Sequence, residues 1–300
     1  MACDLCPRHC NVERTKGQRG FCGMSEEILV ARIAPHYWEE PCLSGVKGSG
    51  TVFFSGCNLH CVYCQNYKIA AGGVGQRMSV EELSAAFLSL QEQGCHNINL
   101  VTPSHYVPQI RAALERGKLT IPVVYNTSSY ETVQTLKQME GLVDIYLADL
   151  KYLSGELAER YSHAKDYPET AKVAIKEMVR QVGEAEYKTD AGIKKNATEY
   201  PDGAMMRKGV IVRHLLLPGH TEEAKQVVRY LYETYGDRIA ISILNQYTPL
   251  PHVAKYPELN RQVSPEEYEE VVDYAIELGI GHGFLQEGSA AGESFIPEFR

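Results

Sequence analysis

Between residues 51 and 279 the chain alternates short apolar runs with amphipathic stretches, and this alternation limits its fold more than any other feature. The runs are 51–55 TVFFS, 97–101 NINLV, 121–125 IPVVY, 143–148 VDIYLA, 210–217 VIVRHLLL and 239–244 IAISIL. Each reads as a strand followed by a helix. Ser79 and Glu82 form a capping box ahead of a face made of Val80, Leu83, Phe87 and Leu90, and Gly94 stops it. Ser264, Pro265, Glu267 and Gly279 repeat the device. Residues 107–116, 130–140, 169–182 and 221–235 supply the other helices. Strand–helix repetition predicts βαβ units around a parallel sheet. Without a glycine-rich dinucleotide fingerprint, six such units predict a full or partial barrel.

Composition excludes several classes. No apolar run approaches the ~20 residues a membrane helix needs. The segment MACDLCPRHCNVERTKG has no apolar stretch of the secretory kind, so the expected compartment is the cytoplasm. Nine cysteines in such a chain point to metal or redox chemistry rather than a disulfide framework. A formal charge of −8 lacks the basic excess that nucleic-acid binding requires.

In a parallel barrel the reactive groups sit where strands end, at their C-terminal rim. Thr102, Ser104 and His105 follow the second run, and Asn126, Thr127 and Ser128 the third. Asp149 and Lys151 close the fourth, two apart and therefore on one side of an extended chain. Arg213 and His214 lie in the fifth, and Asn245, Gln246 and Tyr247 end the sixth. Taken singly, Thr102, Thr127 and Ser128 read as ordinary loop residues. Arg213 does not, because a guanidinium inside an apolar strand needs a partner or an anionic ligand. Asp149 and Lys151 read equally as a mutual ion pair or as ligand-binding groups.

The first strand runs into GCNLHCVYCQN, with Cys57, Cys61 and Cys64 spaced by three and then two residues. Three thiolates are one short of a closed zinc site, and His60, inside the loop, has little freedom to complete it. A cubane iron–sulfur cluster on three cysteines leaves one iron open, and a small molecule can take that position.

CNLHCVYC, placed directly after the first strand of a six-unit βα pattern, resembles the C-x3-C-x-aromatic-C signature of the radical S-adenosylmethionine (SAM) superfamily. The resemblance implies an α/β fold, a partial (β/α)6 TIM-like barrel with a Cys-rich N-terminal extension. It also implies a [4Fe-4S] cluster on Cys57, Cys61 and Cys64, whose open iron is chelated by SAM, with Tyr63 near the adenine. The implied activity is reductive cleavage of SAM to a 5'-deoxyadenosyl radical that abstracts hydrogen from a substrate. The implied electron donor is a reduced flavodoxin or ferredoxin. The segments DLK (149–151), VRHLLLPGH (212–220) and FLQEG are similar to the branch containing pyruvate formate-lyase activating enzyme. That similarity makes Asp149, Lys151 and Arg213 SAM-contacting candidates, and a glycine of a partner glycyl radical enzyme the expected substrate. Another peptide or a small molecule is the alternative, and a non-catalytic iron–sulfur carrier is a third reading. The chain departs from the family in having VTPSHY where a Gly-Gly-Glu motif is usual. Thr102 and Ser104 offer oxygens there but no acid, and His105 is expected to face the substrate instead. Asn126 completes the cofactor-binding candidates.

Residues 1–45 read as a loop-like metal-binding extension, and residues 46–300 as the barrel. Cys3, Cys6, Cys10 and Cys22 fit a closed second site for zinc or an auxiliary [4Fe-4S] cluster, with His9 as a poorer donor. Cys42 and Cys95 read as inert thiols. Residues 183–209, polar and weakly periodic, read as a surface insertion or lid.

Overall fold

The computed structural model describes residues 2–195 and 203–286. Its strands are β1 (Ile28–His36), β2 (Ser49–Phe54), β3 (Gln76–Met78), β4 (Ile98–Val101), β5 (Val123–Thr127) and β6 (Ile145–Asp149). They continue with β7 (Glu186–Thr189), β8 (Gly192–Lys195), β9 (Met205–Leu215), β10 (Ala240–Leu244) and β11 (Gly283–Leu285). Strands β2, β4, β5, β6, β9, β10 and β11 lie side by side in that order, each parallel to the next. Every parallel strand is added at the same edge, without the reversal of order that defines a doubly wound sheet. Right-handed crossovers then place the connecting helices on one face. The result is an α/β fold with a mostly parallel sheet.

The period-two alternation of the strands separates two cores. On the helix-covered face, Val52, Phe54, Leu100, Tyr125, Tyr146 and Val212 pack with helix residues such as Leu83, Phe87, Ile110, Ile175 and Val227. On the other face, Val124, Ile145, Leu147 and Ile211 meet Cys42, Leu43, Tyr187 and Met206. Cys42 and Leu43 belong to a short helix, Pro41–Ser44, on the connection from β1 to β2. This connection fills the sheet's second face, and Asn97 fixes it by donating to the Leu43 carbonyl at 2.8 Å.

Several expectations change. Residues 1–45 are not loop throughout, because β1 pairs antiparallel with β2 and with β3. The sequence ILVARIAPH carries an arginine and a proline, and only part of it is buried, so its apolar pattern is weak. A helix at Gly155–Ser162, capped by Ser154, precedes Tyr167–Val182 and was not anticipated. Strand β9 starts at Met205 rather than at 210. Residues 183–209 do not cover the strand ends in their described part. They form β7 and β8, a hairpin in which β7 pairs with the first half of β9 (Glu186 with Lys208), at the end of that strand away from Arg213. Residues 196–202 of that segment, and Glu287 and Gly288 of FLQEG, lie outside the described residues. Cys42 and Cys95 are buried thiols. Among the described residues no helix is long and apolar enough to cross a membrane.

Candidate active site

Strand β2 delivers the three-cysteine loop through Ser55 and Gly56. Gly56 has φ +90, and a Cβ there would collide with Met24 and with the Cys22 carbonyl oxygen, so this turn needs glycine. The loop is tied down along its length. Asn58 donates to the Tyr130 carbonyl at 2.7 Å, and the Val62 N–H to the Tyr161 carbonyl at 2.8 Å. His60 turns away from the thiols, with Nε2 3.1 Å from the Phe21 carbonyl oxygen, so in this geometry it does not close the set.

Cys57, Cys61 and Cys64 all line one cavity of about 240 Å³ at the C-terminal ends of the strands. Tyr63, Thr102, Asn126, Asp149, Lys151 and Arg213 line it as well. Ser104 and His105 do not. After Thr102, which is held at φ +58, the chain enters a 3-10 turn at Ser104–Tyr106 that carries both side chains inward. Ser104 donates to the buried Glu131, and His105 Nε2 lies 2.6 Å from the Ser55 carbonyl oxygen. Burial pushes the His105 imidazole down to about 3, so it is a neutral structural group rather than a substrate-facing one.

The charged wall of the cavity is a continuous chain. Lys151 Nζ donates to Asp149 at 2.7 Å, and Arg213 Nε donates to the other oxygen of the same carboxylate at 3.0 Å. Asp149 and Arg213 are register partners at the ends of β6 and β9. Arg213 also donates to Asn126 at 2.8 Å and to Glu39 at 3.2 Å, while Asn99 donates to Glu39 at 3.0 Å. Burial alone would raise the Asp149 carboxyl, but Lys151 and Arg213 outweigh it and hold the group below its ordinary value. Burial likewise works against Lys151, and Asp149 reverses it. Glu39 goes the other way: burial raises it although Arg213 and Asn99 pull it down. The pairing and the cavity lining are therefore both true of Asp149 and Lys151.

Glu39 was invisible to sequence reasoning. It lies between β1 and β2, outside the strand-end rule, and reaches the cavity because that connection crosses the sheet's second face. Trp38, its neighbour, also lines the cavity and is 61% exposed at the lip.

The thiols themselves fit a cluster. Burial raises both Cys61 and Cys64, and the neighbouring Cys57 raises each of them further, so three half-buried sulfurs lining one cavity favour a cationic group among them. In the N-terminal set Cys6 and Cys22 are buried, and Cys6 is pushed up to about 12 by burial, with Cys22 and Cys10 adding to the shift. The Phe21 N–H donates to Cys10 Sγ at 3.3 Å. Among the described residues, no three His, Cys, Asp or Glu side chains are placed to hold a single metal ion.

Residues 51–188 match the Radical SAM superfamily. That radical SAM match contains the cysteine triad, Tyr63, Asp149 and Lys151, whereas Arg213, Glu39 and the N-terminal cysteines lie outside it. Uncharacterized protein MJ0674 of Methanocaldococcus jannaschii is 28% identical over 282 residues, covering 91% of this chain and 74% of that protein. Among solved structures, Streptococcus suis SuiB bound to precursor peptide SuiA aligns at 14% identity and a TM-score of 0.49, over 77% of this chain and 46% of SuiB. Methylornithine synthase (PylB) aligns at 13% identity and a TM-score of 0.48, over 81% of this chain and 74% of that enzyme. The chain thus spans under half the length of SuiB.

Proposed function

We propose that this chain is a radical SAM enzyme. Cys57, Cys61 and Cys64 hold a [4Fe-4S] cluster, and the Asp149–Arg213–Lys151 wall with Asn126 and Thr102 receives SAM. The observation that carries the reading is the meeting of the three thiols and this charged chain in one cavity. When bound, the cluster supplies the electron that splits SAM into methionine and a 5'-deoxyadenosyl radical able to abstract hydrogen from a substrate. The chain's own part is to bind and orient. Two cations and the acids between them face a zwitterionic ligand carrying a further sulfonium charge, and the hydrogen-bonded, half-buried wall keeps those charges in fixed positions. Tyr63, whose hydroxyl is 2.7 Å from that of Tyr152, presents a rigid ring beside Cys64 for the adenine.

The substrate in this reading is a polypeptide, a glycine of a glycyl radical enzyme being the case the sequence resemblance implies. An open mouth supports it, because the described part of residues 183–209 lies at the far end of β9 and Trp38 stands exposed at the lip. The proposed setting is the cytoplasm, with a flavodoxin- or ferredoxin-type donor. The N-terminal cysteines are proposed to form a second metal site, for zinc or an auxiliary [4Fe-4S] cluster.

The test is the yield of 5'-deoxyadenosine from anaerobically reconstituted, dithionite-reduced protein supplied with SAM. Wild type should form it and Cys61→Ala should not. A chain with an intact cluster that leaves SAM uncleaved would return the protein to the electron-carrier reading. Iron analysis assigns the second site: about eight irons per chain means two clusters, and about four with one zinc means a zinc site.

A further inference from the structure

Beside Cys61 the fold builds a contact that substrate binding does not require. Ser162, the last residue of the Gly155–Ser162 helix, is fully buried, and its hydroxyl donates to Cys61 Sγ at 3.0 Å. The same oxygen is hydrogen-bonded to the Tyr152 hydroxyl at 3.0 Å, which in turn meets the Tyr63 hydroxyl at 2.7 Å. Tyr152 and Tyr63 are buried as well, so these hydroxyls are shielded from bulk water. Cys57 receives a different kind of donor, the Leu59 backbone N–H at 3.4 Å.

The helix end that carries Ser162 is gripped from the N-terminal segment. Arg8 lies between Cys6 and Cys10 in the sequence, and its guanidinium donates to the carbonyls of Ser162, at 3.3 Å, and of His163. Its Nε donates to the Asn58 carbonyl at 2.8 Å, next to Cys57. The guanidinium is itself held over the Phe21 ring, 3.8 Å from the centroid, and Phe21 adjoins Cys22. One side chain from the cysteine-rich segment thus braces both the donor's helix and the loop that bears its sulfur acceptor.

We propose that Ser162 sets the reduction potential of an iron–sulfur cluster held at Cys61, with Arg8 as the positioning residue for that contact. The inference rests on the function proposed above. Reduction places negative charge on the cluster and its thiolates, and a donor aimed at a thiolate sulfur strengthens as that charge grows. The Ser162 hydroxyl therefore favours the reduced state, and its loss makes the cluster harder to reduce. Because the site is shielded, the contact is not replaced by solvent.

The experiment is a dithionite titration of the full-length, anaerobically reconstituted chain without SAM, followed by electron paramagnetic resonance, with iron content measured in parallel. Ser162→Ala should retain its iron and titrate at a lower potential, by about a tenfold change in the reduction equilibrium, or ~59 mV for one electron. Ser162→Thr, which keeps the hydroxyl, should titrate with wild type. Arg8→Ala, which leaves the Ser162 hydroxyl in place, should shift in the same direction by less, and it keeps the test decisive if Ser162→Ala assembles less iron. Equal potentials for wild type and an iron-replete Ser162→Ala protein overturn the assignment. A Ser162→Thr protein that behaves like Ser162→Ala overturns it too, by making packing the cause. An unchanged Arg8→Ala potential removes the positioning role. A wild-type chain that assembles no cluster on Cys57, Cys61 and Cys64 instead defeats the underlying function, before any potential is compared.

Discussion

Replacing Glu131 by Gln should make the protein more stable at pH 8 and leave it unchanged at pH 4. Glu131 is 2% exposed beneath the strand ends and accepts hydrogen bonds from Ser104, from Thr127 at 2.6 Å and from Tyr125 at 3.5 Å. Burial pushes its carboxyl from 4.5 up to about 7, against the pull of these hydroxyls. A carboxyl whose folded value lies above its unfolded one favours the neutral form in the fold. The associated stability is complete below pH 4.5 and is lost as pH rises through 7. Between these two values the linkage amounts to roughly 3 kcal/mol. Gln keeps the shape of the neutral acid and cannot ionise, so it escapes the loss. Urea unfolding at the two pH values measures the difference. With a slope of about 3 kcal/mol/M, the variant's midpoint at pH 8 should lie about 1 M above wild type. His105, which titrates in the opposite sense towards low pH, is common to both proteins and cancels. A variant no more stable than wild type at pH 8 would show that Glu131 is ionised in the fold at little cost, and the reasoning would fail.

Arg213→Met should destabilise the chain by about 3 to 5 kcal/mol in chemical denaturation, because it leaves the Asp149 and Glu39 carboxylates buried without their shared cation. Adding Glu39→Gln should recover part of that loss, and strict additivity of the two changes would deny the coupling. Gly56→Ala should cost about 1 to 3 kcal/mol through its collision with Met24 and the Cys22 carbonyl. It should also expose residues 2–25 to limited proteolysis, and an unchanged digestion pattern would separate the N-terminal segment from the cysteine loop.

The parallel strands were legible because both of their faces are buried, as in β2, β5 and β10, which leaves continuous apolar runs in the sequence. Their ends were equally legible, and the strand-end rule led to Asn126, Asp149, Lys151 and Arg213, all of which line the cavity. The rule failed at Ser104 and His105, where a left-handed Thr102 and a 3-10 turn rotate the next residues inward. It could not reach Glu39 or Arg8, whose positions depend on segments crossing from the antiparallel side of the sheet. Strand β11 escaped notice because its three residues carry too little pattern to read.

Trp38 is the one tryptophan of the chain, and it stands at the cavity lip. The protein therefore carries its own optical reporter there. A molecule settling against the indole changes the polarity around a single emitter, with no other tryptophan to dilute the signal. Titrating SAM into the cluster-free chain while following that emission would make occupancy of the mouth visible without a label and independently of turnover.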